Sequence, residues 1–161
     1  MTEFHAQPYS LDHIGFYFDS IETFQAGMEK LNKRGCEEVE IQFIDGEDHL
    51  VDLAKAAAIH QGNVDFWYEQ LEDLDETQAV QLTFLLDLGY SLEDALDRYE
   101  DVYLHEGTAE DYAYELINDT TEVPESLRFY IDYEAIARDM KANGEIVEIE
   151  RELIVTNAYE F

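Results

Sequence analysis

A chain of 161 residues is about one or two domains long, and 39 Asp and Glu against 9 Lys and Arg leave it a formal charge of −30. Such a surface repels phosphates, which excludes direct nucleic-acid binding and attachment to an anionic membrane. Hydrophobic residues at 46% and aromatics at 13% exclude an acidic disordered chain, so the carboxylates must coat a real core.

The first block, residues 1–55, reads as α+β. Phe4 to Tyr9 is a candidate strand, and Ile14, Phe16 and Phe18 alternate with Gly15 and Tyr17 as in a second. Asp19-Ser20 stands where a helix N-cap belongs, followed by Ile21, Phe24, Met28 and Leu31 at helical spacing and by Gly35 as a stop. Glu38 to Phe43 has the period-two pattern of a strand with one wet face, and Asp45-Gly46 reads as a turn.

The middle reads as helical. Leu50, Leu53, Ala54, Ala57 and Ala58 predict a helix ending near Gly62, and Val64, Trp67, Tyr68 and Leu71 predict one starting at Asn63. Val80 to Leu88 predicts a third, stopped by Gly89. Ser91-Leu92-Glu93-Asp94 opens a fourth, with Leu92, Ala95, Leu96 and Tyr99 inward, and Thr108-Ala109-Glu110-Asp111 repeats that capping pattern for a fifth. Val102-Tyr103-Leu104 suits a short strand between them. Pro124 is a good first helical residue, with Leu127, Tyr130 and Ile131 forming an apolar stripe. Asp132 caps a further helix to Asn143-Gly144, and Ile146–Ile149 with Leu153–Thr156 predicts a hairpin turning near Glu150-Arg151.

Motifs for catalysis and metal binding are weak. The glycines never take phosphate-loop spacing, and His5, His13, His49, His60 and His105 are scattered. Cys36, followed by Glu37-Glu38, lacks the positive surroundings of a reactive thiolate and reads as structural. Asp45-Gly46-Glu47-Asp48 places glycine second where a calcium loop needs it sixth. With so many acids, a close carboxylate pair carries no information about catalysis. No enzyme, cofactor or metal site is expected. Cys36 has no internal partner, Met1-Thr2-Glu3-Phe4 lacks the order of a signal peptide, and no apolar run reaches membrane-spanning length, so a cytoplasmic protein is expected.

The charge is uneven. Residues 1–55 carry −8, residues 56–127 carry −18 with Arg98 as their one base, and residues 128–161 carry −4. The acids recur at helical intervals: Asp65, Glu69, Glu72, Asp73 and Glu76; then Glu93, Asp94, Asp97, Glu100 and Asp101; then Glu106, Glu110, Asp111 and Glu115. Like charges at i,i+4 cost a few tenths of a kcal/mol each, and almost no lysines offset them. The benefit of that repulsion must lie outside the folded monomer. Duplex DNA carries one charge per ~1.7 Å, so a length of roughly 40 Å, the breadth of such a domain, would carry on the order of 24. The net charge is comparable, which suits a phosphate-like field aimed at a DNA-binding groove. A second reading is an acidic mimic or adaptor for another basic partner, from a different defence system or the nucleoid. A third is an enzyme or cation binder that happens to be acidic, and a plain solvated surface is the bland alternative.

The stretch Glu122-Val123-Pro124-Glu125-Ser126-Leu127-Arg128-Phe129-Tyr130-Ile131-Asp132-Tyr133-Glu134-Ala135-Ile136-Ala137-Arg138-Asp139 resembles the V-P-x-S-L-x-x-Y-I-D-Y-x-A-x-x-R-D segment of the ArdA antirestriction family. Gly15-Phe16-Tyr17-Phe18, Glu37 to Gly46 and Val102 to Gly107 resemble further family segments in order and spacing. Phe4 to Leu11 departs from the family's usual opening, lacking its asparagine. The resemblance implies a non-enzymatic DNA mimic, carried by mobile elements, that fills the DNA-binding groove of type I restriction–modification enzymes. It implies an elongated α+β protomer of three small domains, at 1–55, 56–120 and 121–161. It also implies a homodimer joined through the last domain, with Leu127, Tyr130, Ile131, Tyr133 and Ile136 as candidate contacts. The fourteen acids named above, Asp65 to Glu115, would stand for phosphates.

Overall fold

A computed structural model describes residues 1–150 and 152–161. It is α+β, as the pattern of alternations and helical spacings predicts. The chain divides into two compact units, Met1–Ala95 and Leu96–Phe161.

In the first unit, β1 (Glu3–Pro8) is the centre of an antiparallel sheet, between β2 (Phe16–Phe18) and β3 (Val39–Asp45). Alternation along β1 puts Phe4 and Ala6 on the buried face. Helix α1 (Ile21–Asn32) starts at a full capping box: Ser20 accepts from the Thr23 amide, and Thr23 returns the bond to the Ser20 amide. Phe24 and Leu31 face inward from it. The helices α2 (Asp48–Ala56) and α4 (Glu76–Asp87) pack together, burying Leu50, Leu53, Leu82 and Leu85. Between them, α3 (Val64–Phe66) widens into one π turn, Trp67–Leu71. That turn carries Trp67 into the middle of an aromatic cluster, edge-on to Phe4 at 5.4 Å and to Phe43 at 6.2 Å. The Trp67 indole N–H donates to the Thr2 hydroxyl at 2.8 Å, and that hydroxyl donates to Glu72 at 3.1 Å.

The expected helix end near Gly62 is wrong by a turn and a half. α2 stops at Ala56, and Ala58, at φ +47°, supplies the left-handed residue that closes it. The Ile59 amide reaches back to the Ala54 carbonyl and the Ala58 amide to Lys55, the two bonds of a Schellman stop. Gly89, at φ +95°, closes α4 by the same pair of bonds at no steric cost. An L side chain in that region costs roughly 1 kcal/mol or more. Ala58→Gly is therefore expected to stabilise the unit by up to about 1 kcal/mol, as read by urea unfolding; a destabilised variant would contradict this account of the stop.

In the second unit the sheet order is β4 (Leu104–Glu106), β6 (Leu153–Val155), β5 (Val147–Glu150), all antiparallel. β5 and β6 are the expected hairpin; of the turn expected near Glu150-Arg151, Arg151 lies outside the described residues. Helices α6 (Ala109–Thr120) and α7 (Tyr133–Ala142) pack against each other, and Ala113, Ala137, Met140, Ile146 and Ile154 share one core. Thr108 and Asp132 cap them as expected, with Asp132 accepting from the Ala135 amide at 2.9 Å. Buried Asn157 ties the C-terminal segment to the residues leading into β4, accepting from the Tyr103 amide and donating to the Asp101 carbonyl.

Two predicted helices are shorter than expected. α5 (Leu92–Leu96) ends before Tyr99, which falls in a separate 3-10 turn, Tyr99–Asp101. Glu93, Asp97 and Asp101 would stack as like charges if the helix ran on. Pro124 opens no α-helix: residues 124–127 form a turn and Arg128–Tyr130 one 3-10 turn. Leu127, Phe129 and Tyr130 are all exposed, and a short helix without a face to bury is marginal in water.

Candidate partner-binding surfaces

Of the fourteen predicted phosphate-like acids, thirteen are exposed. In the first unit Asp65 sits on α3, Glu69 on the π turn and Asp73 just after it. Glu76 opens α4, and Glu93 and Asp94 lie on α5. In the second unit Asp97 follows α5, and Glu100 and Asp101 lie on the 3-10 turn. Glu106 ends β4, and Glu110, Asp111 and Glu115 lie on α6. The ion pairs of Lys33, Lys55, Arg138 and Lys141 go to Glu29, Asp52, Asp139 and Glu148, all outside this set.

Three of the fourteen also serve the fold. Glu72 is half-buried and accepts from both the amide and the hydroxyl of Thr2, pinning the start of β1 to the end of the π turn. Its carboxylate, after burial, also helps hold the neighbouring Tyr68 hydroxyl protonated. Asp94 accepts from the Ser91 hydroxyl at 2.6 Å, and its amide donates back at 3.2 Å. Asp111 accepts from the Thr108 hydroxyl at 2.6 Å and from the Thr108 amide at 3.0 Å. At these three positions helical spacing alone does not separate a partner-facing carboxylate from one that satisfies an orphan amide.

Charge density limits what one element can do. α6 has 12 residues and is therefore about 18 Å long, a length over which duplex DNA carries roughly 10 charges. It presents Glu110, Asp111, Glu115 and Asp119, fewer than half as many. A duplex-like field needs several elements together.

The candidate dimer contacts separate by burial. Leu127 and Tyr130 are 53% and 84% exposed. Ile131 is half-buried. Tyr133 is half-buried and packs edge-on against Tyr114 at 5.1 Å, and Ile136 packs on the core of its own unit. Phe129, absent from the sequence-based set, is 93% exposed. Its place in the run Phe129-Tyr130-Ile131 is the signal that was open to reading.

A family profile described as antirestriction protein (ArdA) matches residues 11–155, nearly the whole chain. The chain belongs to the ArdA antirestriction family. No curated protein matches it. Membership implies antirestriction function and interaction with restriction enzymes, within a family of inhibitors not known as enzymes. The matched span contains all fourteen acids and the Leu127–Tyr130 segment. Among the described residues, no group of three or more His, Cys, Asp or Glu is placed to hold a metal ion, and no helix is long and apolar enough to cross a membrane.

The Asp111 carboxyl of this ArdA chain lies below its ordinary value of 3.8, first because of the Thr108 hydroxyl, then the Thr108 amide, with His105 adding. A depressed carboxyl contributes stability that is present above its unfolded value and is lost as pH falls through its folded one. Thr108→Val is expected to return Asp111 toward 3.8 and to flatten the acid limb of the melting curve below about pH 4. Carboxyl NMR titration of both proteins checks this. An unmoved Asp111 would contradict it.

Proposed function

We propose that this protein is a DNA mimic that occupies the DNA-binding groove of a type I restriction–modification enzyme, its carboxylates standing where phosphates would. The observation that carries the reading is the exposure of thirteen of the fourteen acids; Lys33, Lys55, Arg138 and Lys141 pair with other carboxylates, while Glu115 lies 3.7 Å from His105 and Glu72 3.6 Å from the N-terminal ammonium. Buried apolar faces on both units support fixed positions for these charges. The middle of the family's three-domain plan, residues 56–120, carries the mimicry. The cytoplasm, where such an enzyme meets incoming DNA, is the place of action. Expression in a host with an active type I system is expected to restore transformation by unmodified plasmid. Unchanged restriction with the protein present and folded would refute the reading.

The protein acts as a homodimer in this proposal, with Leu127, Phe129 and Tyr130 covered by the second copy and Ile131, Tyr133 and Ile136 behind them. The exposure of Leu127, Phe129 and Tyr130, which enter no core of their own unit, supports this. Buried interface aromatics commonly contribute about 2 kcal/mol each, a factor of roughly 30 in affinity. Phe129→Glu with Tyr130→Glu is therefore expected to yield monomers by sedimentation equilibrium at concentrations where the parent is dimeric. A dimer of undiminished strength would place the contact elsewhere.

A further inference from the structure

Bases are scarce in this chain, and several are engaged: Lys33 with Glu29 at 2.6 Å, Lys55 with Asp52 at 3.0 Å, Lys141 with Glu148 at 3.1 Å. Lys30 and Arg34 are different. Both are exposed on the last turn of α1 and just beyond it, and among the described residues neither has a carboxylate within ion-pair distance. They line one cleft of about 360 Å³ in the first unit, together with Ile14, Phe16 and Tyr17.

The cleft has an apolar floor for a local reason. A β-carbon at Gly27 would overlap the Phe16 ring, so glycine there lets the ring lie against the helix. The rim is open and greasy, with Ile14 87% and Tyr17 61% exposed. Among the described residues these two cations have no acidic ion-pair partner, and they stand beside an open apolar cleft on a chain with 39 acids and 9 Lys and Arg. An enclosed pocket would suit a small molecule, whose surface is mostly buried on binding. An open one suits a single side chain presented by a peptide.

We propose that this cleft docks an acidic peptide segment of a partner protein, with an apolar side chain seated against Phe16 and a neighbouring carboxylate held by Lys30 and Arg34. The inference does not rest on DNA mimicry. The two have opposite salt signatures. The net charge of −30 repels an acidic peptide at long range, and salt screens that repulsion more than it weakens the close contact with Lys30 and Arg34.

The test uses the full-length chain and a short peptide alternating leucine and glutamate, followed by amide NMR, with a leucine–lysine peptide as its charge-reversed twin. The acidic peptide is expected to shift Ile14, Tyr17, Lys30 and Arg34, and to bind more tightly as salt rises from low to moderate. Lys30→Gln with Arg34→Gln, two exposed changes that leave the rest of the spectrum in place, should weaken binding about fivefold, as loss of two exposed ion pairs predicts. The basic twin should leave the cleft residues unmoved. Four results would overturn the proposal. The acidic peptide could leave those four residues unshifted, or bind the double variant equally well. Octanoate could give the same shifts at lower concentration, assigning the cleft to a small amphiphile. The shifts could appear on concentrating the protein alone, assigning it to a second copy.

Discussion

Changing Asp97→Asn, Glu100→Gln, Asp101→Asn, Glu106→Gln, Glu110→Gln and Glu115→Gln together is expected to weaken inhibition of a type I restriction–modification enzyme on the order of 100-fold, because six exposed ion pairs at roughly half a kcal/mol each amount to about 3 kcal/mol. All six side chains are exposed on the second unit, and none is among the acids that bond to a helix-capping hydroxyl. On α6, Glu115→Gln relieves like-charge repulsion with Asp111 and Asp119 but loses the His105 contact at 3.7 Å, so each variant's melt separates loss of fold from loss of binding. Each change alone should cost a few-fold at most. The check is a competition assay against labelled duplex, beside thermal melts of every variant. If one neutralised carboxylate abolished inhibition with the melt unchanged, a single-residue chemistry would replace the field.

Trp67→Ala is expected to lower the stability of the first unit by about 3–5 kcal/mol, as for other large aromatics cut from a core. Trp67 is 0% exposed, meets Phe4 and Phe43 edge-on, and its indole donates to Thr2, which in turn bonds to Glu72. The loss therefore opens a cavity and unties the start of β1 together. Against a typical total of ~5–15 kcal/mol, that is enough to leave the unit partly unfolded. Circular dichroism in urea measures it. A cost below about 1 kcal/mol would mean that the aromatic cluster is not the centre of this unit.

The caps at Ser20, Thr108 and Asp132 were legible because a cap is a local arrangement of a few residues. The strands were legible where one face is wet, as in β3, with its buried Val39 beside exposed Glu40 and Gln42. What escaped depends on distant partners. The end of α2 at Ala58 needed a left-handed alanine, against the preference for glycine that pointed to Gly62. The Pro124 segment has the apolar spacing of a helix but nothing within its own unit to pack on. The candidate surface was legible as composition, since the acids between Asp65 and Glu115 are exposed with one exception. That exception, Glu72, is decided by Thr2, a residue 70 positions away that spacing along a helix cannot reveal. The Lys30–Arg34 cleft was hidden for the same reason, because it needs Phe16 laid across Gly27.

The most direct measurement is displacement of labelled duplex from a purified type I methyltransferase core, titrated with this protein across a salt series. The account predicts full displacement at low salt, with the logarithm of the inhibition constant changing linearly with the logarithm of salt concentration, as it does for DNA itself. A protein that leaves the duplex bound at low salt, or displaces it with an affinity indifferent to salt, would contradict it.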